Sequence, residues 1–149
     1  MQLSKLIETL DNKRVTGSPD RDITGICADS RQVKGGCLFV AIPGMQTDGH
    51  LFIRQAAQSG AAAVVFCKGH LADTGFVQEF ASTTTFIEVQ DTIKALGLLA
   101  AAYYDHPSAK LTLVGVTGTN GKTTTATLLH HLFSNLGYKC GLISTIANY

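Results

Sequence analysis

Lys122 is the residue of this chain best placed to act on a phosphate. Gly118-Thr119-Asn120-Gly121 precede it and Thr123-Thr124 follow it. A phosphate tail is held by backbone N–H groups that converge at the start of a helix, where the helix dipole adds partial positive charge. Here Gly118 and Gly121 allow the main chain to come close, Lys122 neutralises outer phosphates, and Thr123 presents a hydroxyl oxygen to a metal ion. The generic pattern G-x-x-x-x-G-K-[ST], anchored on Gly121-Lys122-Thr123, asks for glycine where this chain has Val116. A lysine at a helix start is often only solvated, so the flanking elements decide the reading.

Those elements fit a phosphate loop. Leu111 to Val116 reads as a buried strand, and Leu128, Leu129, Leu132, Phe133 and Leu136 form one stripe of a helix over residues 123–136. Gly137 stands where a left-handed C-terminal cap belongs, and Cys140 to Ile143 begins another strand. The unit is strand, loop, helix, strand, the opening of a mostly parallel sheet. One such unit cannot cover both faces of a parallel sheet, so this segment reads as the truncated start of a larger domain.

Upstream, Leu3, Leu6, Ile7 and Leu10 fall at helical spacing. Residues 23–28, 37–42, 62–67 and 85–89 read as strands, and residues 50–58 as a helix stopped by Gly60. Asp91 is the N-cap of a helix through Tyr104. His106-Pro107-Ser108 ends that helix and marks a hinge.

The chain has 149 residues, enough for one ordinary domain or for a small one plus part of another. At 45% hydrophobic and 15% charged residues it has the composition of a globular protein with a core. A net charge of +1 gives no basic face for nucleic acid. No apolar stretch approaches the roughly 20 residues of a membrane span, and Met1-Gln2-Leu3-Ser4-Lys5 does not open a signal peptide. Cys27, Cys37, Cys67 and Cys140 are far apart and sit among apolar neighbours, so they read as reduced, buried thiols in a cytoplasmic protein.

Val114-Gly115-Val116-Thr117-Gly118-Thr119-Asn120-Gly121-Lys122-Thr123-Thr124-Thr125 closely resembles the ATP loop of the Mur ligase family. Asp29-Ser30-Arg31, Gly36 to Ala41, Gly44, Asp48-Gly49-His50 and Phe52-Ile53 resemble that family's N-terminal domain, in the expected order. The resemblance implies an α/β fold: a small N-terminal α/β substrate-binding domain over 1–107, which grips a UDP-sugar, then at 108–149 the first βαβ unit of a P-loop ATPase domain. It implies ATP and Mg2+ as cofactors. Gly118, Thr119, Asn120, Gly121, Lys122, Thr123 and Thr124 would hold ATP, with Lys122 as the catalytic group on the outer phosphates and Thr123 on Mg2+. Ala28, Ser30, Met45, Gln46 and Thr47 would touch the UDP end of the substrate. Ala28 stands where a larger aliphatic residue is usual, and Met45 and Thr47 also depart from the family's pattern.

The activity implied is ATP-dependent ligation through an acyl phosphate. The partners are UDP-N-acetylmuramoyl-dipeptide and an amino acid, with no nucleic acid and no membrane insertion, in an enzyme that is a monomer at full length. The triple threonine after Asn120 favours the ligase that adds the third residue of the peptidoglycan stem, meso-diaminopimelate or lysine. The alternatives are the next ligase, which adds D-alanyl-D-alanine, and a non-catalytic nucleotide-sugar-binding module. The 149 residues alone are expected to be inactive.

Overall fold

In the computed structural model, residues 1–44, 47–70, 75–145 and 148 are described. The chain divides into two compact units, Met1–Lys110 and Leu111–Tyr149.

The first unit is built on a five-stranded sheet. Its strands are β1 (Arg14–Thr16), β2 (Gly25–Cys27), β3 (Cys37–Val40), β4 (Ala63–Cys67) and β5 (Thr85–Val89), in the order β1-β5-β4-β3-β2. Strands β2 to β5 are mutually parallel, and β1 is antiparallel on the outer edge of β5. Parallel strands are buried on both faces, and β3 and β4 show why: CLFV is buried throughout and AVVFC nearly so.

Successive side chains point to opposite faces. Leu38 and Val40, Ala63 and Val65, and Ile87 and Val89 project to one side, where α1 (Leu3–Ile7) and α4 (Thr92–Tyr103) cover them with Leu3, Leu6, Ile7, Ala95 and Leu99. Phe39, Val64, Phe66 and Phe86 project to the other, under α2 (Ile53–Gln58) and α3 (Gly75–Phe80) through Ile53, Ala56, Phe76 and Val77. The result is a three-layer α/β/α unit with its core split by the sheet.

Local signals set the ends of these elements. Asp91 caps α4 by accepting from the amides of Ile93 and Lys94, both at 2.9 Å. The Tyr103 hydroxyl at the far end of α4 donates to Thr24 O at 2.8 Å, tying the helix to the approach to β2. The helix expected at residues 50–58 is a 3-10 turn, Gly49–Phe52, running into α2. Two elements carried no readable pattern. Strand β1 is three residues long, too short to show a period, and α3 buries only Phe76 and Val77.

The second unit holds α5 (Lys122–Asn135), capped at its end by Gly137 with φ 87°. The strands expected at residues 111–116 and 140–143 make no ladder among the described residues. Only an isolated bridge, Ile143 to Asn148, is formed there. Leu113 and Val114 are 72% and 67% exposed, and the α5 stripe is open at Leu128, Leu132, Phe133 and Leu136. A strand exists only by pairing, and a mostly apolar stretch reports the burial it requires rather than a partner within reach.

No helix among the described residues is long and apolar enough to cross a membrane.

Candidate functional site

Because β2, β3 and β4 run in parallel, the segments that leave their carboxyl ends stand side by side along one edge. In open α/β sheets that edge is where ligands bind. Ala28 and Ser30 follow β2, both half-buried. Asp29 caps the 3-10 turn Ser30–Gln32 by accepting from the Arg31 amide at 3.0 Å. Its carboxylate also takes a fork from the Arg31 guanidinium, at 2.9 Å from Nε and 2.8 Å from Nη2. The guanidinium, and then the Arg31 amide, lower the Asp29 carboxyl to about 2. Thr47, exposed, belongs to the loop after β3, on the strand next to β2. Met45 and Gln46 lie outside the described residues.

The loop after β3 closes at its base. Pro43 and Asp48 face each other across an isolated antiparallel bridge, and the Gly49 amide donates to Ile42 O at 2.9 Å. Gly49 is required there by space alone: a Cβ would stand 2.7 Å from Ile42 O. Asp48 accepts from the His50 amide at 3.0 Å and pairs with the His50 ring through Nδ1. These two contacts, the amide first, hold the Asp48 carboxyl below its usual range.

His50 is buried, and its Nε2 accepts from the Cys67 amide at 2.9 Å. An acceptor Nε2 places the ring proton on Nδ1, where it is donated to Asp48. His70, after β4, stacks on His50 with ring centroids 4.2 Å apart and sets its Nδ1 3.5 Å from Asp48 Oδ2. Ligand atoms of Asp48, His50 and His70 lie within 4.8 Å of one another, yet both nitrogens of His50 are committed, so the cluster is a hydrogen-bonded support rather than a metal centre. No sequence signal links His70 to His50, because their contact spans twenty residues and exists only through the β3–β4 pairing.

Cys27 and Cys37 meet at 3.5 Å between sulfurs. Gly25, not Cys27, is the partner of Cys37 in the β2–β3 register. A two-residue offset at ~3.3 Å per residue, across a ~4.8 Å strand spacing, puts their Cα atoms about 8 Å apart, beyond the ~7 Å limit for a disulfide. All four cysteines are free, and Cys140, expected to be buried, is exposed, the segment around it pairing with no strand among the described residues.

In the second unit the loop expected to hold phosphate leads straight into α5. Gly121 is the N-cap, with φ 77°, a left-handed conformation that L side chains rarely adopt. The Thr125 amide donates to Gly121 O at 2.9 Å, so the amides of Lys122, Thr123 and Thr124 precede the first intrahelical bond. The Lys122 ammonium folds back over the loop onto the carbonyl oxygens of Gly118 and Thr119. Gly118, Thr119, Asn120, Gly121, Lys122 and Thr124 are exposed and Thr123 is half-buried. Three outward amides, an ammonium and two hydroxyls within one turn suit a phosphate anion, and Thr123 supplies the kind of hard oxygen that Mg2+ takes.

Residues 22–104 match the Mur ligase family, catalytic domain, and residues 116–149 the Mur ligase middle domain. The chain belongs to the Mur ligase family. It is 50% identical over 99% of its length to a protein of Cytophaga hutchinsonii named UDP-N-acetylmuramoyl-L-alanyl-D-glutamate–2,6-diaminopimelate ligase, covering 29% of that relative. A protein of Clostridium tetani with the same name is 41% identical over the whole chain, which covers 30% of it. The chain thus spans less than a third of the length of these relatives.

Among solved structures, the D-alanyl-D-alanyl ligase of Acinetobacter baumannii is 26% identical, with TM-score 0.63 over 91% of this chain and 28% of that one. The MurF ligase of Thermotoga maritima in complex with ADP is 30% identical, with TM-score 0.53 over 77% of this chain and 23% of that one. These likenesses agree with the α/β class read from the sequence.

The relatives correct the function read from the sequence. That reading described addition of an unspecified third amino acid, meso-diaminopimelate or lysine, and kept a D-alanyl-D-alanine ligase and a non-catalytic module as alternatives. The relatives at 41% and 50% identity are both named for 2,6-diaminopimelate, whereas the D-alanyl-D-alanyl ligase stands at 26%. The physical reason for the shortfall is that the motifs read were a phosphate cradle and a turn, and neither discriminates among amines.

Proposed function

We propose that this chain supplies the nucleotide-handling part of a UDP-N-acetylmuramoyl-L-alanyl-D-glutamate–2,6-diaminopimelate ligase, an ATP-dependent enzyme that joins carbon to nitrogen. The relatives' names support the acceptor and the muramoyl substrate. In this reading the unit Met1–Lys110 binds the UDP end of the substrate at the carboxyl edge of its sheet, through Ala28, Ser30 and the loop carrying Met45, Gln46 and Thr47. The unit Leu111–Tyr149 holds ATP through residues 118–124. Mg2+, bound by Thr123 and phosphate oxygens, would withdraw charge from the phosphate that is cleaved.

The observation that carries the reading is the loop of α5: a left-handed Gly121, three amides ahead of the first helical bond, and an ammonium already drawn across the loop. In this reading the amides are set by the helix start, and the ammonium exchanges its bonds to Gly118 O and Thr119 O for bonds to the outer phosphates. Lys122 contributes a charge-assisted hydrogen bond to the outer phosphates, worth about 1.5–3 kcal/mol. Lys122→Ala should therefore weaken Mg-ATP binding by about 10- to 100-fold in calorimetric titration, while leaving binding of UDP-N-acetylmuramoyl-dipeptide unchanged. Equal Mg-ATP affinity in both proteins would overturn the assignment of the loop.

A further inference from the structure

The chain leaves β3 for the loop closed by Pro43 and Asp48 just where the β3–β4 ladder ends. Thr47, one of the proposed UDP contacts, adjoins Asp48, so the base of that loop must be held at a fixed height above the sheet for the contact to be useful. The Ala41 amide donates to Val65 O at 2.8 Å, a backbone rung at the end of the β3–β4 pairing. Two residues further along β4, the Cys67 amide points to the same side, but the β3 chain has turned away toward Pro43. His50 Nε2 takes that amide at 2.9 Å, while His50 Nδ1 donates to Asp48, the residue bridged to Pro43 at the base of the loop. The ring is buried, stacked under His70, and both of its nitrogens are used.

We propose that His50 is a positioning residue for the nucleotide-sugar site: its imidazole replaces the next backbone rung between β3 and β4, and so fixes where Asp48 and its neighbour Thr47 stand on the carboxyl edge. This rests on the reading that the edge binds the UDP end of the substrate. The Asp48–His50–Cys67 chain is a strut of two hydrogen bonds, and its loss leaves the part-buried Cys67 amide without its acceptor and Asp48 without its link to β4. His50 itself touches no substrate and acts through Asp48.

The test titrates uridine diphosphate, and separately Mg-ATP, into the 149-residue chain and its variants. His50→Ala is expected to weaken uridine diphosphate binding at least tenfold with Mg-ATP affinity unchanged. His50→Gln, whose amide oxygen reaches the Nε2 position, is expected to stay within about threefold of the original affinity. His50→Asn reaches only the Nδ1 position and should behave as His50→Ala. In the unsubstituted protein, NMR should show a neutral His50 ring protonated on Nδ1 and a Cys67 amide protected from hydrogen exchange, a readout that holds even if a variant fails to fold.

Uridine diphosphate binding by His50→Ala and His50→Asn within twofold of the original would overturn the proposal, as would a freely exchanging Cys67 amide. Failure of the unsubstituted chain to bind uridine diphosphate overturns instead the reading on which the proposal rests.

Discussion

Adding one methyl group at Gly49 should cost this protein far more than adding one at Gly97. At Gly49 a Cβ would lie 2.7 Å from Ile42 O and 2.9 Å from Ile42 N, both main-chain atoms that no rotamer change can move. Ordinary contact begins at 3.4 Å, so the shortfall, 3.4 less 2.7, is 0.7 Å. The two segments must part, which breaks the bond from the Gly49 amide to Ile42 O. Overpacking of this kind costs ~1–3 kcal/mol, and the lost backbone hydrogen bond ~0.5–1.5 kcal/mol.

Together they give about 2–4 kcal/mol for Gly49→Ala, which lowers Tm by roughly 10–15 °C for a unit of this size. Gly97 lies on the exposed side of α4 with nothing within 4 Å of its Cβ position. Gly97→Ala should therefore stabilise by ~0.5–1 kcal/mol through helix propensity. Thermal and urea unfolding followed by circular dichroism, with uridine diphosphate titration alongside, reads both effects. Gly49→Ala should also lose ligand affinity, since the displaced residue adjoins Asp48 at the base of the loop after β3. Stability of Gly49→Ala equal to that of the original protein, or the two substitutions moving stability in the same direction, would show that the loop does not pack as described.

Asp91→Ala removes the carboxylate that holds two amides of the first turn of α4 and should cost ~1–2 kcal/mol in urea unfolding; an unchanged midpoint would refute the capping role. Acid should unfold the first unit partly through Asp29 and Asp48, whose folded pKa values lie below the unfolded value, that of Asp29 at about 2. A depressed carboxyl stabilises fully above its unfolded pKa of ~3.9 and loses that contribution as pH falls through the folded value. Stability should thus decline between about pH 4 and pH 2, and the double variant Asp29→Asn, Asp48→Asn should show a shallower decline over that window; an identical slope would contradict these pairings.

The sequence alone determined whatever depends on neighbours along the chain. Asp91 ahead of an apolar period marks an N-cap because its partners are the next turn's own amides. Gly121-Lys122-Thr123 reads locally as the start of a helix, with three consecutive amides ahead of the first helical bond, and that is what the proposed phosphate cradle uses. Runs such as Ala63–Cys67 declare burial on both faces, and with it a parallel sheet. Only the tertiary structure decided what depends on strands meeting.

The order β1-β5-β4-β3-β2 brings the segment after β2, with Asp29, beside the segment after β3, and it places His50 under His70 and against the Cys67 amide. Residues 20 apart in sequence carry no mutual periodicity, so nothing in the string of letters announces that stack. The same limit explains residues 111–116. Their composition demands a sheet, but pairing is a property of two segments, and an apolar run describes only one of them.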